Sequence, residues 1–185
     1  MRLTTFAAAL VLGAATQTAI GAESEFQITP RIGQGELEVD AFEHIDEDRR
    51  EADTYGVGVS FGMLTPIGVV VEVGADSQGR LEWGNENDDF QLTERYVALG
   101  YQFELGDGWR LTPKVARSRW KLESDQGLFE LDDDEDEHIR GYEYVYEVSI
   151  ARRVSRVLAL GLSYKQGDYD FGRARALSFV LQFGI

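Results

Sequence analysis

The chain has 185 residues, with 33 acidic against 18 basic side chains and a formal net charge of −15, a length that suits one domain. With 43% hydrophobic residues and a mean hydropathy of −0.28, it is too polar for a bundle of membrane helices and too apolar for a disordered acidic protein. The absence of cysteine excludes thiol catalysis, disulfides and thiolate metal centres, and a pI near 4.5 leaves no basic stripe to neutralise nucleic-acid phosphates.

The N-terminus reads as a secretory signal. Met1 and Arg2 give a short positive start, Leu3 to Ile20 is free of charge and rich in Ala and Leu, and Gly21 and Ala22 are small residues suited to cleavage. Thr4, Thr5, Gln17 and Thr18 leave an apolar centre too short to cross a bilayer as a helix. The expected division is therefore a signal peptide over 1–22 and an exported domain over 23–185.

Beyond the signal, the hydrophobic pattern has period two. Phe26, Ile28, Pro30 and Ile32 come first, followed by Tyr55, Val57, Val59, Phe61 and Met63 with Gly56, Gly58, Ser60 and Gly62 between them. After Thr65 and Pro66 the alternation resumes at Ile67, Val69, Val71 and Val73, and again at Val97, Leu99, Tyr101 and Phe103. Trp109, Leu111, Pro113 and Val115 follow the Gly106-Asp107-Gly108 turn. The last three sets are Tyr142 to Ile150, Leu158 to Tyr164, and Leu177, Phe179, Leu181, Phe183 and Ile185. Alternation of this kind specifies β-strands with one apolar face, and it predicts eight of them. The uncharged stretch from Thr54 to Val71 is not a membrane helix, because its glycines keep strict register and Pro66 interrupts it.

The connections alternate in length. Tight turns are predicted around Thr65-Pro66, Gly106-Asp107-Gly108 and Arg152-Arg153-Val154-Ser155. Longer polar segments are predicted over 40–53, 76–89, 123–140 and 165–173, so all the long loops share one end. The first three hold seven acids against two bases, five against one and nine against one, whereas the fourth balances at two against two. Most of the negative charge thus belongs to the loops.

The set alternating with the apolar residues decides which face is wet. A soluble ligand-binding barrel would fill it with Lys, Glu, Thr and Asn, but here it is small: Gly58, Ser60, Gly74, Ala98, Gly100, Ala116, Ser149, Ala159, Gly161 and Ser178 among others. Small residues suit the crowded interior of a narrow closed barrel, and Tyr, Phe, Leu and Val suit contact with lipid. The expectation is an all-β, eight-stranded, antiparallel up-and-down transmembrane β-barrel with short periplasmic turns and long acidic extracellular loops.

With its leader, alternating strands, turn and loop asymmetry and C-terminal strand, the chain resembles the small eight-stranded outer-membrane β-barrels of Gram-negative bacteria, the OmpA-type transmembrane domains. The resemblance implies a place in the outer membrane, contact with its lipid, and a C-terminal assembly signal read by the barrel-insertion machinery. Leu177, Phe179, Leu181, Phe183 and Ile185 would carry that signal, although the chain ends in Ile185 where the family usually has an aromatic.

Four charged residues fall on the inward set at similar depth: Arg31, Glu72, Lys114 and Glu147. Charges in a low-dielectric lumen need partners, so these predict a salt-bridge cluster that plugs the barrel, with Glu94, Glu104, Arg110 and Glu143 as outer members of the same filling. The run Asp132, Asp133, Asp134, Glu135, Asp136 and Glu137 offers oxygens to divalent cations but lacks the glycine turn and spaced Glu of a calcium loop, so a diffuse counter-ion cloud is expected and no defined metal site. His44 and His138 have no Ser at a fixed spacing to form a catalytic pair and read as solvated loop residues. Trp83, Trp109, Trp120, Tyr142 and Tyr164 are expected to form interfacial girdles. The function these features favour is non-enzymatic, structural or surface-interacting, without a cofactor. A narrow small-solute channel and an outer-leaflet lipid-modifying enzyme are the alternatives.

Overall fold

The computed structural model describes residues 24–39, 51–79, 90–124 and 138–184. The signal segment, His44, Trp83, the acidic run over 132–137 and Ile185 lie outside the described residues. Among the described residues nine strand segments follow one another: β1 (Glu25–Val39), β2 (Glu51–Leu64), β3 (Val69–Gly79), β4 (Phe90–Tyr101), β5 (Phe103–Gly106), β6 (Trp109–Ser124), β7 (His138–Arg153), β8 (Leu158–Tyr169) and β9 (Gly172–Gly184). β4 and β5 are one stave interrupted at Gln102, because both pair with β6 in the same register. Neighbouring staves are antiparallel and β9 pairs with β1, so eight staves close on themselves.

Closure satisfies a physical requirement. In hydrocarbon, no water is present to pair a free strand edge, and only a closed barrel bonds every backbone group. Following paired residues around the barrel from Gly62 passes Glu72, Ala98, Ala116, Val145, Gly167, Ala174 and Leu37 and returns to β2 at Ala52, ten positions from the start. That displacement tilts the strands and sets a narrow interior.

The three short connections lie where the sequence predicts them. Gly106, Asp107 and Gly108 all have positive φ, at 89°, 51° and 77°, a left-handed path that favours glycine on either side of an Asx residue. At the other end the strands run further than the alternation of large apolar residues suggests. Asp53, Asp76, Glu123, His138 and Lys165, read as loop residues, all lie within strands. The fourth long loop, expected over 165–173, is not one. β8 continues to Tyr169 and only Asp170 and Phe171 separate it from β9. Inward Lys165, Gly167 and Tyr169 keep the period, but their polarity and size disguise it.

The apolar face points outward. Ile32, Phe61, Leu99, Tyr146 and Phe179 are each more than half exposed, and the small alternate set faces in. For a membrane protein that exposure is contact with hydrocarbon. No helix among the described residues is long and apolar enough to cross a membrane.

Candidate functional site: the lumen

The interior holds two tiers of side chains, polar in the middle of the barrel and apolar at the long-loop mouth. In the polar tier, Arg31 on β1 reaches three strands: Nη1 donates to Glu147 Oε2 at 2.8 Å, and Nη2 donates to Glu72 Oε1 at 3.1 Å and Ser60 Oγ at 3.2 Å. Lys114 Nζ lies 3.1 Å from Glu72 Oε2 and 2.8 Å from Glu147 Oε1. Arg31, Lys114, Glu72 and Glu147 therefore form a closed square of alternating charge from β1, β6, β3 and β7. Each cation touches both carboxylates, which is the geometry that makes burial of ions tolerable.

The network extends beyond those four. Arg31 Nε is 3.6 Å from Asp76 Oδ1, and Lys165 Nζ donates to Asp76 Oδ2 at 2.8 Å and to Glu94. Glu94 also accepts from Ser118 Oγ at 3.0 Å and from the Tyr169 hydroxyl at 2.7 Å. Tyr96 joins the two halves: its hydroxyl donates to Glu72 Oε1 at 3.2 Å, and Arg31 and Lys165 lie 5.7 and 5.3 Å from its ring centroid. Three cations thus meet four carboxylates across six staves. Asp76, Lys165, Tyr96 and Tyr169 were not singled out in the sequence. The signal that could have found them is continuation of the inward set past the last large outward residue. Of the expected outer members, Glu94 joins this network, Arg110 pairs with Glu104 at 3.1 Å near the short turns, and Glu143 is half-buried.

Above the charges, the long-loop ends of the strands supply Leu37, Val39, Leu92, Trp120, Leu122, Tyr169, Phe171 and Ala174, all buried in one cluster. Phe171 is 0% exposed and Trp120 2%. Phe171 stacks on Tyr169 with centroids 4.9 Å apart, and Trp120 meets Phe171 edge-on at 4.9 Å. Trp120 is therefore not a girdle residue. It occupies an even position on β6, in phase with inward Lys114 and Ser118, whereas Trp109, Tyr142 and Tyr164 do face outward. Inward glycines make room for these rings. A Cβ on Gly141 would lie 2.7 Å from Trp120, one on Gly167 2.6 Å from Tyr169, and one on Gly74 2.5 Å from Tyr96.

The remaining expected site residues are placed as follows. Leu177, Phe179, Leu181 and Phe183 lie outward on β9. His138 opens β7 with its backbone opposite Glu123. No cluster of three or more metal-ligating side chains occurs among the described residues.

A closed antiparallel barrel with an apolar exterior, a polar filled interior and strands long enough to cross a hydrocarbon layer of roughly 25 Å defines the transmembrane β-barrel class. The chain belongs to the outer membrane protein beta-barrel domain family, whose model matches residues 4–184. No curated protein matches it by sequence. In fold it is similar to Ail, the attachment invasion locus protein of Yersinia pestis, solved with the heparin analogue sucrose octasulfate (12% identity, TM-score 0.62, 89% of this chain and 100% of that one). It is similar also to Neisserial surface protein A (12%, 0.62, 88% and 99%) and to the outer membrane protein OprG of Pseudomonas aeruginosa (10%, 0.53, 91% and 97%). The protein is a cell outer membrane barrel. Its unheated, detergent-extracted form is expected to migrate faster in gels than the boiled form, because a closed barrel stays compact until heated. Identical migration of the two would contradict closure.

Proposed function

We propose that this protein is a non-enzymatic, non-conducting outer-membrane barrel that anchors acidic loops at the cell surface. The observation that carries the reading is the double filling of the lumen. A channel for bulk solutes needs a continuous wet path, and eight staves leave an interior that side chains can fill, whereas porins use about sixteen or more. Here the square of Arg31, Glu72, Lys114 and Glu147 crosses the middle, and the Trp120, Tyr169 and Phe171 rings cover the long-loop mouth.

The loop segments 40–50, 80–89 and 125–137 carry most of the negative charge. Surfaces of that sign concentrate divalent cations or a basic partner and repel sulfated ligands such as the one bound to Ail. The C-terminal residues Leu177, Phe179, Leu181, Phe183 and Ile185 would serve the insertion machinery. Single-channel recording of the purified barrel in a planar bilayer tests the reading. No openings are expected, and large, stable openings in the native protein would replace the plug with a channel.

A further inference from the structure

Outward from the barrel, β4 and β6 break the apolar pattern at one level. Counting from the short turns, the outward residues of β4 are Tyr101, Leu99 and Val97, then Arg95; those of β6 are Trp109, Leu111, Pro113 and Val115, then Arg117 and Arg119. All three arginines are exposed and stand at the long-loop edge of the lipid-facing band. Arg95 is directly opposite Arg119, and one step further Lys121 is opposite Arg140. Like charges facing one another across strands are destabilising. Among the described residues no carboxylate lies within ion-pair distance of Arg95, Arg117, Arg119 or Arg140.

The other rim arginines differ. Arg173 faces Asp168 at 2.6 Å, and Arg175 faces Glu36 at 3.5 Å. Among the described residues, the long-loop rim arginines without a carboxylate partner are thus on β4, β6 and β7.

That face also contains a groove of about 610 Å³, lined by Val59, Phe61, Val73, Ala75 and Val97, with Arg95, Arg117 and Arg119 at its upper end. It exists because β3 presents the small Ala75 outward between Val59 of β2 and Arg95 of β4. Arg117 is held over Tyr144, 4.7 Å from the ring centroid, and Tyr142, at 5.7 Å, which fixes its guanidinium beside the groove.

We propose that this face binds one phosphorylated glycolipid of the outer leaflet, its acyl chain in the Val59–Val97 groove and its phosphate between Arg95, Arg117 and Arg119. The position argues for a membrane lipid over a soluble anion, since an apolar groove continuous with the arginines adds nothing to the binding of a free phosphate. Guanidinium forks match phosphate oxygens in pairs and neutralise the facing arginines.

The test is thermal unfolding of the full barrel in phosphate-free dodecyl maltoside micelles with and without diphosphoryl lipid A, together with native mass spectrometry of retained lipid. Wild type is compared with the double variant R95Q/R119Q. In the detergent alone the variant is expected to be as stable as wild type or more so, because the like-charge pair is gone. With diphosphoryl lipid A the order reverses: wild type retains one lipid and its midpoint rises, while the variant loses at least about tenfold in retention. A fully dephosphorylated lipid A is retained no better by wild type than by the variant. The proposal is overturned if the variant is the less stable in the detergent alone, if both proteins retain diphosphoryl lipid A equally, or if a polysulfated oligosaccharide displaces it while phosphate-free lipid remains bound.

Discussion

Replacing Glu147 by Ala is expected to destabilise the barrel by up to roughly 3–5 kcal/mol, the range for removing one member of a buried ion pair, because two buried cations then share fewer carboxylates. Glu147 is the shared acceptor of Arg31 and Lys114, at 2.8 Å from each. Urea unfolding in lipid vesicles measures the loss. Glu147→Gln should lose less, since it keeps an acceptor oxygen while removing the charge. Adding Lys114→Ala to Glu147→Ala should cost less than the sum of the two single changes, as expected for groups in direct contact. Additive losses would mean that the two do not interact. Partial buffering is built in: Arg31 retains Glu72 and Asp76, and Lys114 retains Glu72.

Phe171→Ala is expected to cost about 3 kcal/mol, at the lower end of the range for emptying a buried aromatic site. It removes a ring that is fully buried between Tyr169 and Trp120, and a two-residue link between strands has little freedom to refill the space. The effect should appear as a lower unfolding midpoint with the strand content unchanged. If the apolar tier contributes to closing the lumen, the variant should also flicker open in a planar bilayer more often than wild type. An unchanged midpoint would show that Phe171 is ornamental to the barrel, and the lumen filling would then rest on the charge tier alone.

The two changes probe parts of the molecule that differ in how visible they are in the sequence. Arg31, Glu72, Lys114 and Glu147 lie between large outward residues, so the period assigns each an inward direction, and their similar distance from the short turns brings them to one depth. Phe171 has no such frame. It follows Asp168, Tyr169 and Asp170 beside Gly172, a composition that reads as a solvated loop. Only closure of β8 onto β9 turns its ring inward. Trp120 misleads for a related reason: an aromatic near a strand end has two destinations, and the parity of its position on β6 decides between them. Asp76 and Lys165 were obscured because both lie past the final bulky outward residue of their strands, where charge alone resembles the start of a loop.

The sequence by itself determined the outward apolar face, the eight staves, their antiparallel order and the places of three short turns. Each follows from local quantities, namely a period of two, glycine at turns and the lengths of polar segments. The tertiary structure decided how far the strands run, which rings cap the lumen, and which charges meet across six staves. Those depend on register carried around the whole barrel. A displacement of ten residues in one circuit sets the height of every stave against every other, and no single strand contains that number.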